Sequence, residues 1–307
     1  ILQYNTYGSA EDLQWDEKEI PEPNDKQVLI KVKAASLNPS DSKKRLGLFQ
    51  SGGADKFPKR MGMDFSGIVV MAGKEIIQFN EGDKVMGYKG LIGGSFADFV
   101  IADGLKVFHK PEKLSFEEAT TLPLNAATAL KVVQNFLKPA AGKTILVNGA
   151  SGGIGLFVVQ LCMNAGAIVT GTTSSKENIE ILNSFGLNEV IDFETENILQ
   201  MGKTFDAILD TSGKMKFEDA VSILAENGEF STMVPEGDSE KTDGNKKENH
   251  VFAVPGQEEF QAVQKMAEDG KLKPIAGIVF PMSEAIEVIK KFDNGEFNIT
   301  GKIVLVN

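Results

Sequence analysis

The spacing of apolar and polar positions divides the chain into two textures. From residue 144 onward, short β-branched runs alternate with segments whose apolar residues recur every three or four positions. The run 144–148 is apolar at its centre, as a strand buried on both faces requires. It breaks into a glycine cluster, beyond which Ile154, Phe157, Val158, Leu161 and Cys162 repeat at helical spacing. The alternation continues with strands predicted over 167–171, 189–193, 205–210, 228–234 and 250–254, and helices over 176–185 and 217–224. Such a succession predicts right-handed βαβ units and a parallel sheet with helices on both faces, an α/β architecture.

The chain ends read differently. Segments 27–35 and 67–72 alternate apolar with polar residues, and turns such as 81–84 separate such runs, which suggests short strands in a partly open barrel. Residues 111–119 read as a loop into a helix, with Ser115 as N-cap and Glu118 completing a capping box. Helices are predicted over 125–135, 257–268 and 283–292, and a last strand over 302–306. The charged stretch 238–249 reads as an exposed loop.

The glycine cluster carries chemistry. Ala150-Ser151-Gly152-Gly153-Ile154-Gly155 fits A-x-G-x-x-G, a dinucleotide fingerprint with Ala in place of the first Gly. Gly152 lets the backbone approach a pyrophosphate, Gly155 allows close packing of helix on strand, and the N–H groups of the helix start hold the anion. The plain alternative is a turn that needs glycine for packing alone. An NAD site usually places an acid about 20 residues further on, where it accepts from the adenosine ribose hydroxyls. Here Gly171-Thr172-Thr173-Ser174-Ser175-Lys176 has no acid until Glu177, which favours NADP(H). Alternatively, Ser174 caps the next helix and Lys176 is solvated, leaving the preference open.

Composition narrows the remaining classes. The 307 residues allow two domains, and 42% hydrophobic content supports sizeable cores. No run of about 18 apolar residues suggests a membrane span, and no secretory signal pattern is visible, so the cytoplasm is the expected setting. Since the chain begins at Ile1, a few leading residues are expected to precede it. A net charge of −11 argues against nucleic acid and anionic membrane as partners. Cys162 lies on the inner stripe of its helix and reads as a buried apolar residue. With His109 and His250 it is one of three soft metal ligands, far apart in sequence, so no zinc site is expected.

Six motifs carry a resemblance over essentially the whole chain: Ala35-Ser36-Leu37-Asn38-Pro39-Ser40-Asp41, Gly62-Met63-Asp64-Phe65-Ser66-Gly67, Phe79-Asn80-Glu81-Gly82-Asp83-Lys84-Val85, Gly93-Gly94-Ser95-Phe96-Ala97-Asp98-Phe99, the fingerprint, and Gly270-Lys271-Leu272-Lys273-Pro274. In their order the chain resembles the zinc-independent quinone oxidoreductase (zeta-crystallin-like) branch of the medium-chain dehydrogenase/reductase superfamily. The resemblance implies a GroES-like substrate domain, a partly open β-barrel, formed by residues 1–123 and 257–307. A Rossmann domain with a doubly wound parallel sheet, residues 124–256, is inserted between, and the active site lies in the cleft. It implies a homodimer and a small-molecule quinone or enone acceptor.

Matched by motif, the pyrophosphate is expected on Ser151, Gly152, Gly153 and Ile154, within the fingerprint bounded by Ala150 and Gly155. Gly171, Thr172, Ser174 and Lys176 are expected around the adenosine phosphate. Thr128 is expected near the nicotinamide, with backbone groups of Val234 and Val254. Asn38 is expected at the cleft floor facing the nicotinamide ribose or acceptor, and is the one catalytic candidate; a turn residue bonding its own backbone is the alternative. Where relatives carry tyrosines after the Asn-Pro turn, Lys43 and Phe49 stand, so protonation by solvent is expected. Without a metal Lewis acid, hydride delivery suits a conjugated acceptor that spreads the incoming charge. The implied activity is therefore NADPH-dependent reduction of a quinone or an α,β-unsaturated carbonyl, and a non-catalytic NADPH-binding protein is the alternative.

Overall fold

The computed structural model describes residues 1–49, 56–237 and 239–307. Phe49 is the last described residue before the first gap, and the loop expected over 238–249 begins on a residue outside the described set.

Its centre is a seven-stranded sheet in the order Glu189–Asp192, Ile168–Thr173, Thr144–Asn148, Phe205–Asp210, Leu224–Thr232, Lys246–His250, Thr242–Asp243. The first six strands are parallel and the last is antiparallel. The run 144–148 is apolar at its centre because both faces are covered there. Ile145 and Val147 enter the core with the fingerprint helix Gly155–Asn164, while Leu146 faces the opposite core with Phe217 and Phe230.

Three expectations along this domain are corrected. The fifth strand is Leu224–Thr232, starting earlier and ending two residues before Val234. The helix before it is short, Phe217–Ala220, and passes into a single 3-10 turn. The sixth strand is not 250–254 but Lys246–His250, within the segment expected to be an exposed loop. A hairpin through Gly244, at φ +58, folds Thr242–Asp243 back along it and caps the sheet edge. Charged residues suit this place because an edge strand is partly solvated and is protected from further pairing by charge. The apolar run 251–254 misled the pattern, since only Val251 is buried and Phe252 and Val254 are exposed.

The second sheet is the barrel. Strands Ala276–Pro281 and Lys302–Val306, from the chain's end, join Gln27–Ser36, Asp64–Ala72, Lys84–Tyr88 and Val107–His109, and Phe99–Asp103 also pairs with Gln27–Ser36. Met282, Val288, Ile289, Ile303 and Leu305 pack with Val28, Ile30, Val32 and Phe65 in its core, so both chain ends build one unit. Helix Gln257–Glu268 lies between the two units, its Phe260 ring meeting Tyr88 and Phe108 of the barrel while the helix packs on Leu122–Val132. It buries Phe260, Val263 and Ala267 in a core that the parallel sheet's helices share with Met86 and Phe108 of the barrel. Helix Leu122–Val132 begins three residues before the expected 125 and carries Pro123 in its first turn, where no N–H is needed. The two sheets meet at the carboxyl ends of the parallel strands, where α/β sheets place their ligand crevice. No helix among the described residues is long and apolar enough to cross a membrane.

Candidate active site

The crevice has a volume of about 850 Å³ and runs from the fingerprint loop to the end of strand Glu189–Asp192. One wall carries Gly152, Thr173 and Ser174 from the parallel sheet, and the facing wall carries Phe297 and Asn298 from the barrel domain.

The loop separates its glycines by role. A Cβ on Gly155 would lie 2.1 Å from the Gly149 carbonyl oxygen, so Gly155 is required for helix-to-strand packing. A Cβ on Gly152 would meet only that same oxygen, at 3.4 Å, an ordinary contact. The protein itself therefore does not require glycine there, and the open space in front of it belongs to the crevice. The N–H groups of Gly153 and Ile154 have no hydrogen-bond partner among the described residues. Unbonded N–H groups at a helix start, beside a position with room for close approach, form an anion cradle. A dinucleotide pyrophosphate fits it.

Side chains beneath the loop hold it in place. Thr172 Oγ donates to Asn148 Oδ1 at 2.5 Å and accepts from the Gly149 N–H at 3.2 Å, while Asn148 Nδ2 donates to the buried Asp210 at 2.8 Å. Thr173 Oγ donates to Ser151 Oγ at 2.7 Å. Thr172 thus spends its hydroxyl inside the scaffold. Gly171 is also internal, because a Cβ there would sit 2.7 Å from the Cβ of buried Ala150. Its place is a packing position under the loop.

Of the residues expected around the adenosine phosphate, Thr172 and Ser174 line the crevice. Helix Lys176–Ser184 is capped by Ser175, not Ser174. Lys176 points elsewhere: its side chain is 91% exposed and pairs with Glu180 at 3.8 Å. The one cation among the crevice-lining residues is Lys214, on the loop after strand Phe205–Asp210, with Nζ 5.2 Å from the centre of the Phe193 ring. Sequence reasoning missed Lys214, although its position just past the end of a central parallel strand was the available signal. The backbone N–H of Val234 is taken by Thr232 Oγ at 3.1 Å. Val254 lies four residues past the true sixth strand and is exposed, and neither valine is among the crevice-lining residues.

Beneath the fingerprint, where barrel and parallel sheet meet, is a buried polar cluster whose members are not among the crevice-lining residues. Asn38 Nδ2 donates to Asp64 Oδ2 at 2.9 Å and to the Ser36 carbonyl at 3.3 Å. Its Oδ1 accepts from Lys302 Nζ at 2.6 Å and from Asn125 Nδ2 at 3.3 Å. All four hydrogen-bonding positions of this amide are occupied, and the residue is 1% exposed. In this arrangement the Asn38 amide has no hydrogen-bonding position left to offer an acceptor. Lys302 passes directly under the fingerprint, where a Cβ on Gly153 would strike its Cδ at 2.6 Å, and the Gly301 N–H donates to the Ser151 carbonyl at 2.8 Å. Thr128 is buried on the same helix as Asn125, three residues on and hence on the same face.

Burial dominates the cluster's titration. It pushes the Asp64 carboxyl up to about 7 against the opposing Lys302 charge, and the Lys302 ammonium down to about 8 against Asp64 and Asp41. Tyr88, opposite Asp64 in the barrel, is pushed up to about 12 by burial, with Asp64 and Asp41 adding to it. Of this cluster, sequence reasoning found Asn38 alone. In the sequence Asp64 stands out only as part of a motif, and Lys302 only as the first residue of a strand.

A dinucleotide cradle at the carboxyl ends of a parallel sheet, faced by a barrel built from both chain ends, defines a two-domain nicotinamide-dependent dehydrogenase or reductase. Residues 24–112 match the alcohol dehydrogenase GroES-like domain, and residues 153–269 match the zinc-binding dehydrogenase family. The chain is 32% identical to the chloroplast envelope quinone oxidoreductase homolog of Arabidopsis thaliana, over 99% of this chain and 97% of the relative. It is 30% identical to an NADPH-dependent alkenal/one oxidoreductase of the same plant, over 98% and 78%. The structure of a quinone oxidoreductase from Coxiella burnetii superposes with a TM-score of 0.82 at 28% identity, covering 100% of this chain and 98% of that one. The chain belongs to the quinone oxidoreductase branch of the medium-chain dehydrogenase/reductase family.

Proposed function

We propose that this enzyme transfers a hydride from NADPH to a quinone or an α,β-unsaturated carbonyl without a catalytic metal. The observation that carries the reading is the anion cradle at Gly152, with room for close approach and the unbonded N–H groups of Gly153 and Ile154. Bound NADPH would supply the hydride. The chain would grip its pyrophosphate at residues 151–154 and hold the buried polar cluster rigid through the fully bonded Asn38. Thr128 would stand near the nicotinamide, on the face of the helix that Asn125 fixes to that cluster. Solvent would supply the proton. The absence of an acid at the end of strand Ile168–Thr173, and a relative named as NADPH-dependent, support NADPH over NADH.

Independence from zinc is supported by the distribution of soft ligands. His109 is on the barrel, His250 on the far edge of the parallel sheet, and Cys162 is buried with its thiol pushed up to about 12. A homodimer completes the proposal by family resemblance.

The test follows reduced-nicotinamide absorbance with EDTA-treated protein, comparing NADPH with NADH against 1,4-benzoquinone and a 2-alkenal. Turnover with NADPH, undiminished by EDTA, is expected. NADPH binding without turnover of either acceptor would favour the non-catalytic binding role, and loss of activity with EDTA would overturn metal independence.

A further inference from the structure

The adenosine end of the crevice is built by both domains. Ser174 and Asn178 come from the loop and helix after strand Ile168–Thr173, whereas Asn298 and Thr300 come from the segment entering strand Lys302–Val306. Their side chains form one hydrogen-bonded set. Asn178 Nδ2 donates to the Ser174 carbonyl at 2.9 Å and to Asn298 Oδ1 at 2.9 Å, and Thr300 Oγ donates to Asn178 Oδ1 at 2.8 Å. Asn298 Nδ2 donates to Ser174 Oγ at 3.1 Å.

This set fixes which atom faces the crevice. A carbonyl only accepts, so the Asn178 group beside the Ser174 carbonyl is its NH₂. That NH₂ also meets Asn298, which must present its oxygen there and turn its own nitrogen toward Ser174. Asn178, Thr300 and Ser174 are 1%, 3% and 6% exposed, while Asn298 is open to the crevice it lines. One N–H of Asn298 and the hydroxyl proton of Ser174 have no acceptor among the described residues. Two neutral donors are thus held together at the crevice mouth by a buried frame.

We propose that Asn298, together with Ser174, binds the phosphate on the adenosine ribose of NADPH, so that the substrate domain takes part in choosing NADPH over NADH. The inference rests on the cofactor reading above. Neutral donors form strong charge-assisted bonds to a phosphate and carry none of the repulsion a carboxylate would bring. Their contribution matters in this crevice, where Glu194 and Glu196 line the wall and Lys214 is the one lining cation. A ribose hydroxyl in the same place would gain little, because it exchanges one neutral partner, water, for another.

The experiment measures Kd for NADPH and NADH by fluorescence titration on the whole protein and its Asn298→Ala, Asn298→Asp and Asn298→Ser variants, with thermal melting to report folding. Asn298→Ala is expected to weaken NADPH about tenfold or more and NADH less than about threefold. Asn298→Asp should weaken NADPH further, since it sets a carboxylate against the phosphate, and Asn298→Ser should retain part of the preference through its hydroxyl. Equal loss of both cofactors would show that Asn298 only ties the domains together and would overturn the proposal, as would an unchanged preference. If Asn298→Ala does not fold, Asn298→Ser decides: a preference reduced a few-fold supports the proposal and an unchanged one sinks it. A wild-type protein that binds both cofactors equally would overturn the NADPH reading itself, and this inference with it, whatever the variants do.

Discussion

Within the fingerprint, Gly152 and Gly155 differ by what an added methyl group would meet. At Gly155 it would be driven into the backbone of Gly149, which cannot yield cheaply. Gly155→Ala should therefore destabilise the fold by about 2 kcal/mol or more, seen as a lowered Tm. At Gly152 the added atom makes an ordinary contact and projects into the crevice. Gly152→Ala should keep the Tm nearly unchanged while raising Kd for either dinucleotide, and a variant that binds as well as wild type would refute the cradle. Both glycines were legible in the sequence, because a turn's conformational demands fall on its own residues. The role of Gly171 was not, because its neighbour Ala150 is on another element and the expected ligand position is in fact a packing contact.

A place just past a parallel strand's carboxyl end does not by itself bring a side chain to the crevice. Lys176 sits at the start of its helix but lies on the outer surface, paired with Glu180, whereas Lys214 follows a central strand and faces the crevice. Lys214→Ala should weaken NADPH more than Lys176→Ala does, measured as the ratio of Kd values for NADPH and NADH. The reverse order would restore Lys176 as the phosphate partner. Periodicity identified most strands of the parallel sheet because burial on both faces leaves a continuous apolar run. It failed at Lys246–His250, where an edge strand needs charge as much as pairing, and the more apolar residues just beyond it stay outside the sheet.

Across the whole molecule, the junction of the domains stores a pH dependence. Asp64 holds its proton to about pH 7 in the folded protein, against an ordinary 3.8 when unfolded. Between those values the folded state binds more protons, so this group's contribution to stability falls as pH rises through that window. Lys302 runs the other way at higher pH: between about 8 and its ordinary 10.5 the unfolded chain binds more protons, and stability rises with pH. In Asp64→Asn the first dependence is removed, so the variant's Tm relative to wild type should climb from pH 4 to pH 7 by the equivalent of a few kcal/mol, on the order of one per pH unit. A flat difference would show that Asp64 titrates normally.

The sequence by itself determined the alternation of strand and helix, the barrel texture of the chain ends, and the glycine turn with its cofactor class. Each of these follows from local period or from backbone freedom at single residues. Only the tertiary structure decided which polar groups share the buried cluster, since Asn38 and Lys302 bond across 264 residues and nothing in the spacing of either announces the other. It likewise decided that Asn38 is fully occupied, that Lys214 rather than Lys176 lines the crevice, and that Asn298 of the barrel domain lines it too. Those outcomes depend on how two domains pack, and packing is a property of surfaces that the linear pattern does not contain.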